Sequence, residues 1–125
     1  MAHPQYTQLV PGRVAAIIPV SDITIASAAY RSIFGLKQTF QNGDPVGYMI
    51  LEGGAAELHL SLQPDHNAPK FNVAHMLVSD AAQAHKACEA QGFRIIKALK
   101  DQDYGLRSFV FADHDGNRID VGQTL

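Results

Sequence analysis

The feature that most constrains this chain is an internal repeat whose matching positions lie 57 to 61 residues apart. The triplet Val-Ser-Asp at 20–22 recurs at 78–80, and each copy follows an apolar run and precedes a helical pattern. The glycines that close the two helical patterns are Gly35 and Gly92, which lie 57 residues apart. Near the end of each half, Glu-Leu-His-Leu at 57–60 matches Arg-Ile-Asp-Val at 118–121. Several matches in the same order indicate that one supersecondary unit has been duplicated.

The first half predicts the element order β-α-β-β-β. An apolar, β-branched run at 13–20 predicts a strand. Ser21 is the predicted N-cap of the helix that follows, and Asp22 would interact favourably with the helix dipole. Residues at helical spacing predict one inward stripe: Ile25, Ala26, Ala29, Tyr30 and Ile33. Further strands are predicted near 36–42, 46–52 and 56–62.

The second half repeats this order. It predicts a strand at 71–78, a helix at 80–91 with Ala81, Ala84 and Cys88 inward, and strands near 93–98, 106–112 and 118–123. Residues 63–70 contain two prolines and read as a linker. We therefore predict an α+β fold with a single domain over 1–125, module 1 at about 13–62 and module 2 at about 71–123. The two tandem βαβββ modules would form a curved mixed sheet around a cleft, with the helices outside.

Composition narrows the classes of partner and compartment. The chain has 125 residues, 46% of them hydrophobic, which is enough for one domain with a buried core. A net charge of −2 gives no reason to expect nucleic acid or a membrane as a partner. The single cysteine, Cys88, excludes an intrachain disulfide, and residues 1–10 lack the pattern of a signal peptide. We expect a cytoplasmic protein.

The motifs resemble a known family. Residues 29–36 (Ala-Tyr-Arg-Ser-Ile-Phe-Gly-Leu), after the strand and the Val-Ser-Asp triplet, are similar to the vicinal oxygen chelate superfamily, which includes glyoxalase I, extradiol dioxygenases, fosfomycin-resistance enzymes and bleomycin-resistance proteins. Residues 113–120 resemble the family's Asp-Pro-Asp-Gly turn and last strand. Residues 47–51 followed by 56–60 look most like the bleomycin-resistance branch. Members of this length usually form homodimers, so the resemblance implies a homodimer here.

The resemblance also implies where a metal would bind. Enzymes of the superfamily hold a divalent metal with side chains from the first and last strand of each module. Alignment through the shared motifs places four residues on those positions: Ala15, His59, Val73 and Asp120. Alanine and valine offer no donor atom, whereas a catalytic site needs three or four ligands. A shift of two residues would replace Val73 by His75 on the same strand face and give three candidate ligands: His59, His75 and Asp120.

Six residues are the predicted ligand-binding set: Tyr48, His59, His75, Tyr104, Arg107 and Asp120. His59 alternates with leucines that should pack under the helix, so it should face the cavity, either to contact a ligand or as a hydrogen-bonded cavity residue. Tyr104 occupies the loop that carries an aromatic residue over the drug in the bleomycin-resistance branch, although exposed loop tyrosines are common. Arg107 begins the next strand and would offer a donor near the cavity mouth or remain solvated.

Two functions of different classes follow. The first is a metal-independent protein, of the antibiotic-resistance type, that binds and sequesters a small bleomycin-like molecule without a cofactor and without catalytic residues. The alternative is a metal-dependent lyase, isomerase or dioxygenase of the glyoxalase type, holding zinc, nickel, iron or manganese. In that alternative Glu57, two residues from His59 on the same strand face, is a candidate base.

Overall fold

A computed structural model describes residues 8–125. The elements are β1 (Ala16–Val20), α1 (Ile23–Phe34), β2 (Lys37–Asn42), β3 (Tyr48–Gly53), β4 (Ala56–Leu62), β5 (Asn72–Leu77), α2 (Ala81–Ala90), β6 (Arg94–Asp101), β7 (Leu106–Ala112) and β8 (Arg118–Thr124). The βαβββ order therefore occurs twice, which confirms the predicted α+β class and the duplication. Residues 1–7, which make up most of the segment that lacks a signal-peptide pattern, lie outside the described residues.

The strands form two four-stranded sheets with the same internal order. Sheet 1 has the order β1-β4-β3-β2 and sheet 2 the order β5-β8-β7-β6. In each sheet the first and last strands of the module pair in parallel, and the remaining pairs are antiparallel. This topology places β1 and β5 at the edges of their sheets. The strand predicted to begin at residue 13 begins at Ala16, so residues 13–15 precede it.

The two helices are capped by the third residue of each repeated triplet. The Asp22 carboxylate accepts a hydrogen bond from the Ile25 amide, and Asp80 does the same for Gln83. The predicted cap Ser21 is therefore wrong by one residue. Gly35 ends α1 in the left-handed conformation, with φ of 66°, as expected. Neither helix is long and apolar enough to cross a membrane, and no other helix is found within residues 23–125.

One face of each sheet packs against the helices and forms a single core. Alternate residues of the strands contribute to it, for example Leu58 and Leu60 of β4 and Phe109 and Phe111 of β7. The predicted inward stripe of α1 is largely confirmed, but Ile25 is 55% exposed. The opposite face of each sheet carries no helix. We call these surfaces the helix-free faces, and the alternation of the strands directs four candidate site residues towards them: Tyr48, His59, His75 and Asp120.

A buried polar network joins the two modules. The Tyr30 hydroxyl, in α1, donates a hydrogen bond to the Asp113 carboxylate at 2.7 Å, and the Asn117 amide donates to the Pro19 carbonyl at 2.8 Å. Tyr30 and Asn117 are fully buried. Burial, followed by the negative charge of Asp113, raises the pKa of Tyr30 well above its usual value. The network fixes the orientation of one module against the other.

Candidate functional site

A groove of about 590 Å³ lies between the two edge strands β1 and β5. Its volume is within the range of small-molecule sites. Most of its lining is apolar and contributed by both modules: Val14, Ala15, Ala16, Ala55, Ala56, Leu58, Val73, Ala74, Met76 and Leu77. Two polar side chains also reach it, Glu57 from module 1 and His75 from module 2. The groove is therefore an apolar slot with one polar group on each side.

On the helix-free face of sheet 1, Glu57 belongs to a chain of hydrogen bonds. One carboxylate oxygen contacts Arg13 Nε at 2.9 Å, and the other contacts His59 Nε2 at 2.6 Å. The opposite ring nitrogen, His59 Nδ1, lies 2.7 Å from the Tyr48 hydroxyl. Arg13 also contacts Glu52 at 3.2 Å. The side chains of Glu57 and His59 are only 15% and 18% exposed, so these contacts are partly shielded from water.

On the helix-free face of sheet 2, His75 and Asp120 form a second histidine–carboxylate pair. His75 Nδ1 lies 2.6 Å from the Asp120 carboxylate. These residues are direct partners in the parallel β5–β8 ladder. Gly122 makes room for the imidazole, because a Cβ atom at that position would lie 3.4 Å from His75 Cε1. Each module thus carries one histidine–carboxylate pair, within β4 in module 1 and between β5 and β8 in module 2, and the ring nitrogen at the carboxylate is Nε2 in His59 and Nδ1 in His75.

The strand registers settle which residues occupy equivalent places in the two modules. In module 1, Ile17 lies opposite His59. In module 2, His75 lies opposite Asp120, and Val73 falls at an irregularity of the ladder. The neighbour of Asp120 is therefore His75, as in the two-residue shift considered above. Ala15 precedes β1, and its expected place across from His59 is taken by Ile17, which carries no donor atom.

This donor set fits a divalent metal poorly. Both ring nitrogens of His59 are engaged by Glu57 and Tyr48, so coordination by His59 would break one of these hydrogen bonds. His75 and Asp120 contact each other and supply two donors. Within residues 8–125, no group of three or more His, Cys, Asp or Glu side chains is arranged to hold one ion.

The structure places Arg107 on the other face of sheet 2 from Asp120, and Tyr104 in an exposed hairpin. Arg107 shares the core-facing side of β7 with Phe109, whereas Asp120 lies on the opposite face of the sheet. Its guanidinium contacts Asp101 at 2.7 and 3.2 Å. This ion pair raises the pKa of Arg107 and lowers that of Asp101. Tyr104 is 67% exposed in the β6–β7 hairpin. Their ligand contact stays a prediction.

Two residues of the hydrogen-bond chain around Glu57, Arg13 and Glu52, were not predicted from the sequence. Arg13 lies before β1, and Glu52 lies on β3, so nothing in the local pattern joins them. The shared face of Glu57 and His59, by contrast, was predictable from the sequence, because residues two apart in a strand lie on the same face. The partner across the sheet, Tyr48, is offset from His59 by one diagonal step in the β3–β4 register.

Comparison with solved structures shows that the fold recurs among proteins of several functions. A bleomycin-binding protein complexed with bleomycin is 22% identical, with a TM-score of 0.73, over 92% of this chain and 100% of the other. The fosfomycin resistance protein FosX from Listeria monocytogenes is 12% identical, with a TM-score of 0.77, over 94% of each chain. TioX from Micromonospora sp. ML1 is 17% identical, with a TM-score of 0.73, over 92% of this chain and 100% of TioX. At these identities the likeness shows the fold alone.

Sequence comparison then assigns the family. No curated protein sequence matches the chain. A family model described as "Glyoxalase/Bleomycin resistance protein/Dioxygenase superfamily" matches residues 11–121, which is nearly the whole chain. This match and the duplicated βαβββ fold agree with the resemblance seen in the motifs. The chain is a member of the glyoxalase/bleomycin resistance protein/dioxygenase superfamily.

Proposed function

We propose that this protein binds and sequesters a small, partly aromatic, amphipathic molecule of the antibiotic type, such as bleomycin, without a metal and without breaking a bond in it. The observation that carries the proposal is the apolar groove between β1 and β5, with Glu57 and His75 on its two sides. A mostly apolar slot with a few placed polar groups is typical of small-molecule sites. Of the predicted ligand residues, His75 lines the groove, whereas Tyr48, His59 and Asp120 are connected to the groove residues Glu57 and His75 by hydrogen bonds, and we propose that these four contact the ligand.

The state of the histidines supports a binding role over metal catalysis. Metal-bound histidine uses one ring nitrogen for the ion and the other for an outer partner. His59 gives both nitrogens to protein groups, and the residue opposite it is Ile17. The site thus resembles a prearranged polar surface for an organic ligand, and we propose that it needs no cofactor.

The charged groups near the groove and one of the similar structures support a cationic, bleomycin-like ligand. Glu52, Glu57 and Asp120 outnumber the one arginine, Arg13, among the ionised groups in the two networks described above. An acidic site favours a cationic ligand by Coulombic attraction. Among the similar folds is a bleomycin-binding protein complexed with bleomycin, so metal-free bleomycin is the first ligand to test.

The experiment measures thermal stability and metal content of tag-free protein. A ligand that binds only the folded state at about 100 times its Kd adds about 2.7 kcal/mol to the free energy of unfolding, so bleomycin should raise the Tm. His75→Ala should remove this increase. The matched control is His85→Ala, because His85 lies in α2 with its ring against Phe109, away from the groove.

Two results would overturn this proposal. One is near-stoichiometric zinc, nickel, iron or manganese in protein grown with trace metals. This result would favour a metal-dependent glyoxalase-type reaction over metal-independent binding. The other is an unchanged Tm with bleomycin and with other amphipathic aromatic antibiotics. The homodimer and the cytoplasmic location stay predictions, and sedimentation equilibrium would test the first.

A further inference from the structure

The hydrogen-bond chain from Arg13 to Tyr48 has a direction, and this direction determines what Tyr48 can offer to a ligand. An ionised carboxylate accepts hydrogen bonds and donates none. Since one Glu57 oxygen contacts Arg13 and the other contacts His59 Nε2, the proton of that contact belongs to the imidazole. His59 in its neutral form is therefore the Nε2–H tautomer.

The tautomer of His59 then fixes the role of Tyr48. With its proton on Nε2, neutral His59 has an unprotonated Nδ1 that accepts a hydrogen bond. The Tyr48 hydroxyl lies 2.7 Å from Nδ1 and must donate to it. The hydroxyl proton of Tyr48 is thus used in the hydrogen bond to His59 and is not available to a ligand. What remains on the phenolic oxygen is lone-pair density, so towards a ligand Tyr48 is an acceptor.

The second pair follows the same rule. Asp120 accepts from His75 Nδ1 at 2.6 Å, so neutral His75 carries its proton on Nδ1. Its other nitrogen, Nε2, is then an acceptor, and the His75 side chain is 45% exposed. The helix-free faces of both modules therefore carry acceptors: Tyr48 Oη, on a half-buried side chain, in module 1 and His75 Nε2 in module 2.

We infer that Tyr48 is a specificity-determining residue that accepts a hydrogen bond from a donor group of the ligand. The donor is an ammonium, amidinium, guanidinium or amide N–H group. Glu57 sets this preference of Tyr48 through His59. The inference rests on the proposed function, since it names the chemistry of the molecule held at that site. Glu57 lines the groove and also acts as a positioning residue for Tyr48, because it contacts His59, which in turn contacts the Tyr48 hydroxyl.

The substitution Glu57→Gln tests the direction of the chain. Arg13 holds one side-chain oxygen of residue 57 as an acceptor, so the new amide nitrogen would face His59 Nε2 and donate to it. His59 would then carry its proton on Nδ1 and donate to Tyr48, and the Tyr48 proton would be free to turn towards the ligand. The matched control is Glu52→Gln, which removes the same charge beside Arg13 but makes no contact with His59.

The first readout requires no ligand. Long-range proton–nitrogen NMR of the ring nitrogens distinguishes the two tautomers. The spectra are recorded at about pH 8, which lies above the ordinary titration range of histidine. We expect His59 as Nε2–H in the wild type and in Glu52→Gln, and as Nδ1–H in Glu57→Gln. Loss of the signal in His59→Gln assigns it. An Nδ1–H tautomer in the wild type, or no change in Glu57→Gln, would overturn the mechanism.

The second readout is ligand preference, with tryptamine and indole-3-acetate as probes that share an aromatic ring and differ in the head group. One hydrogen bond with a charged partner corresponds to about a tenfold change in affinity, so the wild type and Glu52→Gln should bind tryptamine at least about tenfold tighter. Glu57→Gln should lose this ratio. Equal binding, preference for indole-3-acetate, or no binding of tryptamine at millimolar concentration would refute the ligand class. Stabilisation by bleomycin in the same samples reports on the proposed function separately.

Discussion

Replacing Tyr30 by phenylalanine tests the buried link between the modules with little change in packing. The ring contacts of Tyr30 with Phe34, Phe93 and Phe111 remain, because phenylalanine keeps the aromatic ring. What is lost is the 2.7 Å hydrogen bond from the hydroxyl to the Asp113 carboxylate. The substitution therefore isolates one polar contact between two residues 83 positions apart.

The magnitude follows from the partners that Asp113 retains. Its carboxylate also accepts from the Asn117 side chain at 3.0 Å and from the backbone amides of Asp115 and Asn117 at 2.9 Å. One of four hydrogen bonds is removed, and a bond to a charged group contributes about 1.5–3 kcal/mol. We expect the free energy of unfolding to fall by about 2 kcal/mol. With an unfolding entropy of about 0.26 kcal/mol/K for this length, the Tm should fall by about 8 °C.

The pH dependence gives a second measure of the same contact. Because burial and Asp113 raise the pKa of Tyr30 in the folded state, only the unfolded chain ionises this tyrosine just above pH 10. The stabilisation is complete below that pH and declines as pH rises further. The difference between wild type and Tyr30→Phe should therefore shrink above about pH 10.

Urea denaturation at several pH values is the assay, with Tyr104→Phe as the control. Tyr104 is 67% exposed, and its hydroxyl has no protein partner within residues 8–125, so its loss should change the free energy of unfolding by less than about 0.5 kcal/mol. If Tyr30→Phe costs as little as the control, the inter-module hydrogen bond does not stabilise the fold and the reasoning fails.

Three further predictions test separate parts of the fold. Asp22→Ala should lower the free energy of unfolding by about 1 kcal/mol in chemical denaturation, because it removes the α1 cap, while Ser21→Ala should cost less than about half of that; the reverse order would restore Ser21 as the cap. Burial, followed by the charge of Glu89, raises the pKa of Cys88 to about 12 from 9.0, so Cys88→Ala should lessen the loss of stability with rising pH over that interval, and parallel pH profiles would contradict this. Gly35→Ala should lower the Tm and cost about 1 kcal/mol, because alanine is strained at φ of 66°; an unchanged Tm would mean that the helix end rearranges freely.

Much of the architecture was predictable from the sequence because it depends on local periodicity. The alternation of side chains in a strand predicted that His59 points to the opposite face of the sheet from Leu58 and Leu60. The structure confirms that the two leucines are buried in the core. The repeated triplets at 20–22 and 78–80 correctly marked both helix starts, with an error of one residue in the capping side chain. The duplication itself predicted two equivalent modules, because a repeated pattern folds into a repeated unit.

The polar partners of the candidate site were decided only by the tertiary structure. His59 lies two residues from Glu57 in the chain, but its contact with Tyr48 depends on the antiparallel register of β3 and β4. His75 meets Asp120, 45 residues away, through the parallel β5–β8 ladder. For Arg107 the sequence left open a donor near the cavity mouth or a solvated side chain. The structure places it on the same side of β7 as Phe109 and pairs it with Asp101, and its contact with a ligand stays a prediction.

This division has a physical cause. Alternation, capping and turn preferences act over a few residues, so the sequence by itself determined the element order, the duplicated modules and which residues of one strand share a face. Strand register and the packing of one module on the other depend on many weak contacts summed over the whole chain. The tertiary structure therefore decided that Glu57, His59 and Tyr48 form one directed hydrogen-bond chain, and that Ile17, rather than a metal ligand, lies opposite His59.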